Sequence, residues 1–192
     1  MSKLFPIFLK LQGRRALVVG GGTMAALRVK QLIAAEAQVT VIAPTLGSAM
    51  AKFSEAKQMK IHSKKFEPAD LTREYFLAIA ATDDTDVNAA VAAQAERLGI
   101  LYNAVDDIEH SSFYTPSVVE RGDLLIAIST NGHSPVLARR LRQEFEQALP
   151  TEFGAWVQEL GRLRKKLKQE IPHQLEARKA IIEEVIERTV RK

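Results

Sequence analysis

A glycine-rich run and three polar clusters hold the residues of this 192-residue sequence that could do chemistry. The run is Val18-Val19-Gly20-Gly21-Gly22-Thr23-Met24-Ala25, which fits G-x-G-x-x-A with Gly20, Gly22 and Ala25 at the spaced positions. A β-rich stretch precedes it and a helical one follows, the context in which the motif has a mechanism. The first glycine permits a tight turn, the second lets a pyrophosphate approach the backbone, and the small third residue lets helix and strand pack closely. A diphosphate would then sit on the amides at the positive end of the helix dipole. An acidic residue is expected about 20 positions later to hold a ribose. Ala43-Pro44-Thr45 stands there instead, so Thr45 and backbone groups are expected to replace it. No Arg follows directly to meet a 2′-phosphate, which tilts the expectation to NAD over NADP.

The second cluster, Ala81-Thr82-Asp83-Asp84, ends a β-rich run. In a doubly wound sheet ligands gather outside the carboxyl ends of the strands, so Thr82 and Asp83 are candidates for a cofactor ribose or a substrate. Asp84 or Thr85 would cap the next helix. The third cluster, Asn103-Ala104-Val105-Asp106-Asp107, ends another β run. A carboxylate there can act as a general base. Two adjacent aspartates on an extended chain point oppositely, so one at most faces a pocket. The fourth, Ser129-Thr130-Asn131-Gly132-His133-Ser134-Pro135, runs into a helix start. Its free amides and hydroxyls would make an anion site, with Arg139, Arg140 and Arg142 following. His110, four residues after Asp106, is a secondary acid–base candidate. No pair among the four histidines has a helical metal-binding spacing, so no resident metal is expected.

The elements that must position these residues alternate. Strands are expected over residues 15–20, 38–43, 59–63, 76–81 and 100–105, with helices over 23–36, 46–57 and 87–98. That order implies right-handed crossovers and a parallel sheet covered on both faces. Beyond Asp107 the pattern changes to two β runs, 114–119 and 124–129, around the turn Glu120-Arg121-Gly122-Asp123, a hairpin signal. A lone hairpin is marginal in water, so a second subunit or the main sheet is expected to pair with it. Ser134-Pro135 is an N-cap followed by Pro at the first helical position. Leu137, Leu141, Phe145 and Leu149 then form an apolar stripe. Two further helices, 151–169 and 173–191, are split at Pro172. Arg162, Arg164, Lys165, Lys166 and Lys168 crowd the first of them, a basic outer face over Leu163 and Leu167. A solvated face is the ordinary reading of such a run; a hold on a polyanion is the sharper one. Residues 1–112 are therefore expected to form a dinucleotide-binding domain, 113–149 a hairpin-plus-helix dimerisation region and 150–192 a helical tail.

Composition narrows the class. Hydrophobic residues make up 46% and charged residues 26%, values of a globular chain that exclude disorder and collagen-like repeats. No apolar run reaches bilayer length, and the N-terminus lacks a secretory pattern. There are no cysteines, which excludes disulfides, Cys-ligated zinc, iron–sulfur clusters and a thiol nucleophile. A cytoplasmic location is expected. The net charge of +4 leans toward the C-terminal half; it suits an anionic ligand and does not call for nucleic acid.

Together these stretches resemble the precorrin-2 dehydrogenases of sirohaem synthesis, which occur alone or as the N-terminal module of sirohaem synthases. The resemblance rests on Leu4-Phe5-Pro6-Ile7-Phe8-Leu9, Val18–Ala25, Ala78–Asp84 with Val87-Asn88, Asn103–Asp106, Ser112-Phe113 with Pro116-Ser117, and Gly132–Arg139. It implies a Rossmann-type doubly wound parallel sheet, a hairpin dimerisation region and a helical tail, in a homodimer. It also implies NAD-dependent oxidation of precorrin-2, a macrocycle with eight carboxylates, to sirohydrochlorin; some members then insert Fe2+. On the family's pattern Asp106 serves both steps. Thr23, Met24, Pro44 and Thr45 join Gly20 and Gly22 at the cofactor, and Thr130 matches a serine phosphorylated in some members. Asn103, Ser129, Thr130, His133, Ser134 and Arg139 are the expected substrate contacts. Members often carry Arg-Lys where this sequence has Leu27-Arg28. No methyltransferase segment is expected, so the resemblance implies the dehydrogenase module rather than a complete three-step synthase. Two other readings stand beside this one. A non-catalytic dinucleotide-sensing dimer would need a signalling module, and no helix-turn-helix precedes Gly20. A polyanion-binding scaffold would leave Asp106 without a role.

Overall fold

The computed structural model describes residues 3–55, 59–105, 107 and 109–190. Asp106 lies outside the described residues. The chain divides into two compact units, Met1–Thr115 and Pro116–Lys192.

The first unit is a five-stranded parallel sheet. Its strands are β1 (Arg15–Val19), β2 (Gln38–Ile42), β3 (Lys60–His62), β4 (Tyr75–Ala80) and β5 (Leu101–Ala104), in the order β3-β2-β1-β4-β5. Apolar residues fill both faces of the central strands because both are covered. Ala16, Val18, Val39, Val41, Leu77 and Ile79 face one layer, built by α1 (Thr23–Ala34) and α2 (Ser48–Glu55). Leu17, Val19, Ile42, Ala78, Ala80 and Tyr102 face the other, closed by α3 (Thr85–Leu98) and Leu71. The alternation is the period of two of a strand written twice over. The strand order reverses at β1, so the carboxyl ends of β1 and β4 border a switch-point crevice. Asp84 is the N-cap of α3; its Oδ1 accepts from the amides of Asp86 at 3.0 Å and Val87 at 3.2 Å. Gly99, at φ 69°, ends that helix in the left-handed conformation.

The second unit holds an antiparallel hairpin, β6 (Ser117–Arg121) and β7 (Leu124–Ile128), and the helices α4 (Pro135–Ala148), α5 (Phe153–Glu170) and α6 (Leu175–Val190). The hairpin forms a separate two-stranded sheet rather than joining the main one. Its register differs from the sequence expectation. Pro116 cannot donate to a ladder, so β6 begins after it. Gly122, at φ 57°, makes the turn, so Arg121 pairs with Leu124 and stays in the strand. Arg121 also reaches the end of α4: its Nε donates to the Leu149 carbonyl at 2.6 Å and a terminal nitrogen to Glu146 O at 2.8 Å. These are carbonyls that a helix end leaves without internal partners. The stripe on α4 is uncovered in the single chain. Ala138 is the buried residue, whereas Leu137 and Phe145 are 49% and 42% exposed.

Candidate dinucleotide and substrate site

The turn after β1 is shaped by backbone contacts that leave no room for side chains. Gly20, at φ 125°, donates to the Ile42 carbonyl at 2.9 Å, and a Cβ there would lie 2.3 Å from Ala81 O. A Cβ on Gly21 would lie 2.1 Å from Thr45 O, and the Gly21 carbonyl accepts from Gly47 N at 2.9 Å. The turn is thus clamped between the segments that follow β2 and β4. Gly22 is different. It is the N-cap of α1, its conformation suits any residue, and a Cβ there would meet nothing within 4 Å.

No side chain caps α1, and no acidic residue stands in its first turn. The first-turn amides, Thr23 and Met24 among them, have no acceptor within the helix. Open space in front of Gly22 and an uncapped helix dipole fit a pyrophosphate. Thr23, Met24, Pro44 and Thr45 are all exposed at this edge. Gly20, Gly22, Thr23, Met24, Pro44, Thr45, Thr82 and Asp83 therefore lie at one end of the sheet, after β1, β2 and β4.

Thr82 is engaged in its own turn. Its hydroxyl donates to Asn88 Oδ1 at 2.7 Å and accepts from Asp84 N at 3.2 Å, and Asn88 Nδ2 donates to Thr82 O at 3.0 Å. Asn88, named in the sequence only as part of the resemblance, is a positioning residue; its place one turn into α3 was the available signal. Asp83 is exposed.

The segment after β5 folds back along that edge strand. Ser112 Oγ accepts from Tyr102 N at 2.7 Å and donates to Tyr102 O at 3.0 Å. Ser111 Oγ accepts from Ala104 N at 2.9 Å and donates to Asp107 O at 2.6 Å. The two serine hydroxyls do for β5 what a sixth strand would do, and they blunt an exposed edge. The Ser-Ser pair close after a β run was the unread signal. Asn103 is 6% exposed; its Nδ2 donates to Phe113 O at 2.9 Å, while its Oδ1 is buried without a partner. An unpaired buried acceptor is costly, and a ligand donor would relieve it. The His110 amide donates to Asp107 Oδ1 at 3.1 Å, and His110 Nδ1 lies 2.8 Å from Oδ2. The amide bond first, then the imidazole, hold the Asp107 carboxyl below the usual carboxylate range.

Burial, with a lesser contribution from the Asp107 charge, pushes the Tyr102 phenol up to about 12. A folded value above the unfolded 10.0 means this group stabilises the fold fully below pH 10 and loses that contribution as pH rises through about 12. Ultraviolet titration is expected to show a phenolate step near pH 12 that Tyr102→Phe removes. A Tyr102 step at pH 10 would contradict the burial.

In the second unit the loop before α4 is tied internally. Ser129 Oγ accepts from Asn131 N at 3.1 Å, Thr130 Oγ1 from Ser134 N at 3.0 Å, and Ser134 Oγ from Leu137 N at 3.2 Å. His133 N donates to the Thr130 carbonyl at 3.0 Å. Asn131 and Gly132 take positive φ of 54° and 83°, which the tight loop requires. The amides expected to be free are therefore mostly bonded, because the hydroxyls beside them accept first. Arg140 and Arg142 pair with Glu144 and Glu146. Arg139 is exposed and has no ion pair among the described residues.

A family model described as "Putative NAD(P)-binding" matches residues 7–117, and one described as "Sirohaem biosynthesis protein central" matches residues 121–148. The siroheme synthase of Chromobacterium violaceum is 40% identical over 185 residues, 96% of this chain and 39% of that protein. That of Acinetobacter baylyi is 40% identical over 92% of this chain and 38% of its own length. The chain thus spans about two fifths of the relatives it matches. The solved structure of SirC, a precorrin-2 dehydrogenase, is 28% identical and superposes with a TM-score of 0.76 over 95% of this chain and 89% of that one.

Proposed function

The chain belongs to this NAD(P)-binding family, and from that premise we propose that it oxidises precorrin-2 to sirohydrochlorin, with NAD+ as the hydride acceptor. The observation that carries the reading is the likeness, along nearly the whole chain, to a precorrin-2 dehydrogenase. The open Gly22 turn and the uncapped α1 are its physical counterpart. The balanced reaction takes one hydride and one proton from precorrin-2 and yields NADH. Bound NAD+ supplies the hydride acceptor; the chain must orient the two molecules and accept the proton.

Gly20 and Gly21 hold the turn in shape. Gly22 leaves the approach open, and the Thr23 and Met24 amides face the diphosphate. Pro44 and Thr45 border the adenosine ribose, and residues 43–48 carry no carboxylate or arginine; NAD over NADP is the reading this supports. Thr82 and Asp83 border the nicotinamide end. Asp106, the residue between the fixed neighbours Val105 and Asp107, is the base. The unpaired Asn103 Oδ1 accepts from the macrocycle. Ser129, Thr130, His133, Ser134 and Arg139 meet its carboxylates, Arg139 as the charge. We extend the reading to Fe2+, as a second substrate inserted into sirohydrochlorin, and to a cytoplasmic location. No described helix is long and apolar enough to cross a membrane.

We also assign residues 113–149 to the contact between two copies and 150–192 to a helical appendage. The uncovered α4 stripe and the outward Val118 and Leu125 of the hairpin support a homodimer. The double variant Leu125→Glu/Phe145→Glu is expected to elute as a monomer in size-exclusion chromatography with light scattering. A dimer unchanged by it would remove this surface from the assembly.

The functional reading is tested by anaerobic initial rates of sirohydrochlorin formation with NAD+ and with NADP+. Turnover with NAD+ is expected, followed by an enzyme-dependent sirohaem spectrum when Fe2+ is added. NAD+ binding without turnover would overturn the dehydrogenase and leave the dinucleotide sensor.

A further inference from the structure

The basic run on α5 is exposed, and two of its five cations, Arg164 and Lys168, also border a cleft. Arg164 and Lys168 lie one turn apart on α5, and Leu175, Arg178, Lys179 and Ile182 form a single stripe on α6. These six residues line a cleft of about 220 Å³ between the two helices. Leu175 and Ile182 give it apolar walls, four cations surround them, and no acidic residue lines it. Lys179 is paired with Glu176 at 3.0 Å. Arg164, Lys168 and Arg178 have no ion pair among the described residues. Arg178 Nε is buried with no hydrogen-bond partner. A buried, unsatisfied guanidinium nitrogen among like charges is unfavourable, and an anion inserted between the helices would relieve both costs. Forked guanidinium donors match a carboxylate.

We propose that this cleft is a second tetrapyrrole-binding site, built to take carboxylate arms of a polycarboxylate macrocycle whose apolar frame rests on Leu175 and Ile182. It deepens the functional reading above and rests on it for the identity of the ligand. The cleft is too small for a whole macrocycle and open enough for one edge of it. Its apolar walls favour such an edge over a phosphate backbone, which would want polar partners throughout.

The test uses uroporphyrin, a stable fluorescent macrocycle with eight carboxylates, titrated into the full chain by fluorescence anisotropy and calorimetry. Arg164→Gln/Lys168→Gln removes two exposed cations from the cleft. Lys165→Gln/Lys166→Gln removes the same charge from the same helix outside it. The proposal expects the cleft variant to lose one binding component, by tenfold or more in affinity, while the control variant changes less than twofold. Equal losses in both variants, or none in either, overturn it. So does complete displacement of that component by millimolar inorganic phosphate or by an equal charge of RNA. Circular dichroism of both variants checks that the helices are intact, and Arg178→Lys, which keeps the charge and removes the fork, is expected to weaken the same component. Binding and turnover separate the two readings. Loss of the component on mutation in a protein that never oxidises precorrin-2 sinks the proposed reaction and keeps the site; normal turnover with no mutable component does the reverse.

Discussion

Gly22→Ala is expected to weaken NAD+ binding by about 10- to 100-fold, equivalent to about 1.4–2.7 kcal/mol, and to leave the fold nearly untouched. The reason is the emptiness in front of Gly22: the added Cβ meets no protein atom within 4 Å and projects into the space a diphosphate would occupy. Its φ of −80° is open to alanine, and losing glycine at an N-cap costs on the order of 1 kcal/mol at most. Gly20→Ala is the opposite case. Its Cβ would lie 2.3 Å from Ala81 O at a φ of 125°. Backbone strain and overpacking together cost about 3 kcal/mol or more, a fall in Tm of roughly 6–12 °C for a chain of this size. Thermal melts of the two apo variants, paired with NAD+ titrations, check this. A Gly22→Ala protein that melts early, or that binds NAD+ as well as wild type, would contradict the assignment of that space to the cofactor.

Asp106→Asn is expected to keep NAD+ binding and lower precorrin-2 oxidation by on the order of 10²–10⁴-fold. The chain is fixed on both sides of this residue: Val105 N donates to Ala80 O at 3.0 Å, and Asp107 O accepts from Ser111 Oγ. The neighbouring carboxylate is engaged. Both Asp107 oxygens are bonded by His110, which lowers its pKa and makes it a poorer base. Asp107→Asn is accordingly expected to cost less than tenfold. Steady-state rates at saturating NAD+ decide between them, and the reverse ranking would transfer the role to Asp107.

Much of the sheet was legible because its signals are local. Beyond their first residues β1 and β4 are apolar on both faces, β2 departs from this only at Gln38 and the buried Thr40, and such runs between helical stretches read as buried parallel strands. Ser134-Pro135 and Asp84 announce helix starts through their own chemistry. The glycine motif could be placed from its flanks. What could not be read was long-range. Ser111 and Ser112 look like loop polarity, and only the fold-back onto Tyr102 and Ala104 gives them the work of a strand. Arg121 reads as turn filler until the end of α4 arrives beside it. In the loop before α4, the hydroxyls of Ser129, Thr130 and Ser134 take up amides that composition alone left free. Gly21 fell outside the three motif positions, although its clamp on Thr45 is the tightest in the turn.

The most direct test of the account measures NADH and sirohydrochlorin in the same anaerobic samples as limiting precorrin-2 is consumed. One NADH is expected for each sirohydrochlorin at every time point, and neither product without NAD+. Sirohydrochlorin formed without NADH, or NAD+ bound with neither product appearing, would contradict it.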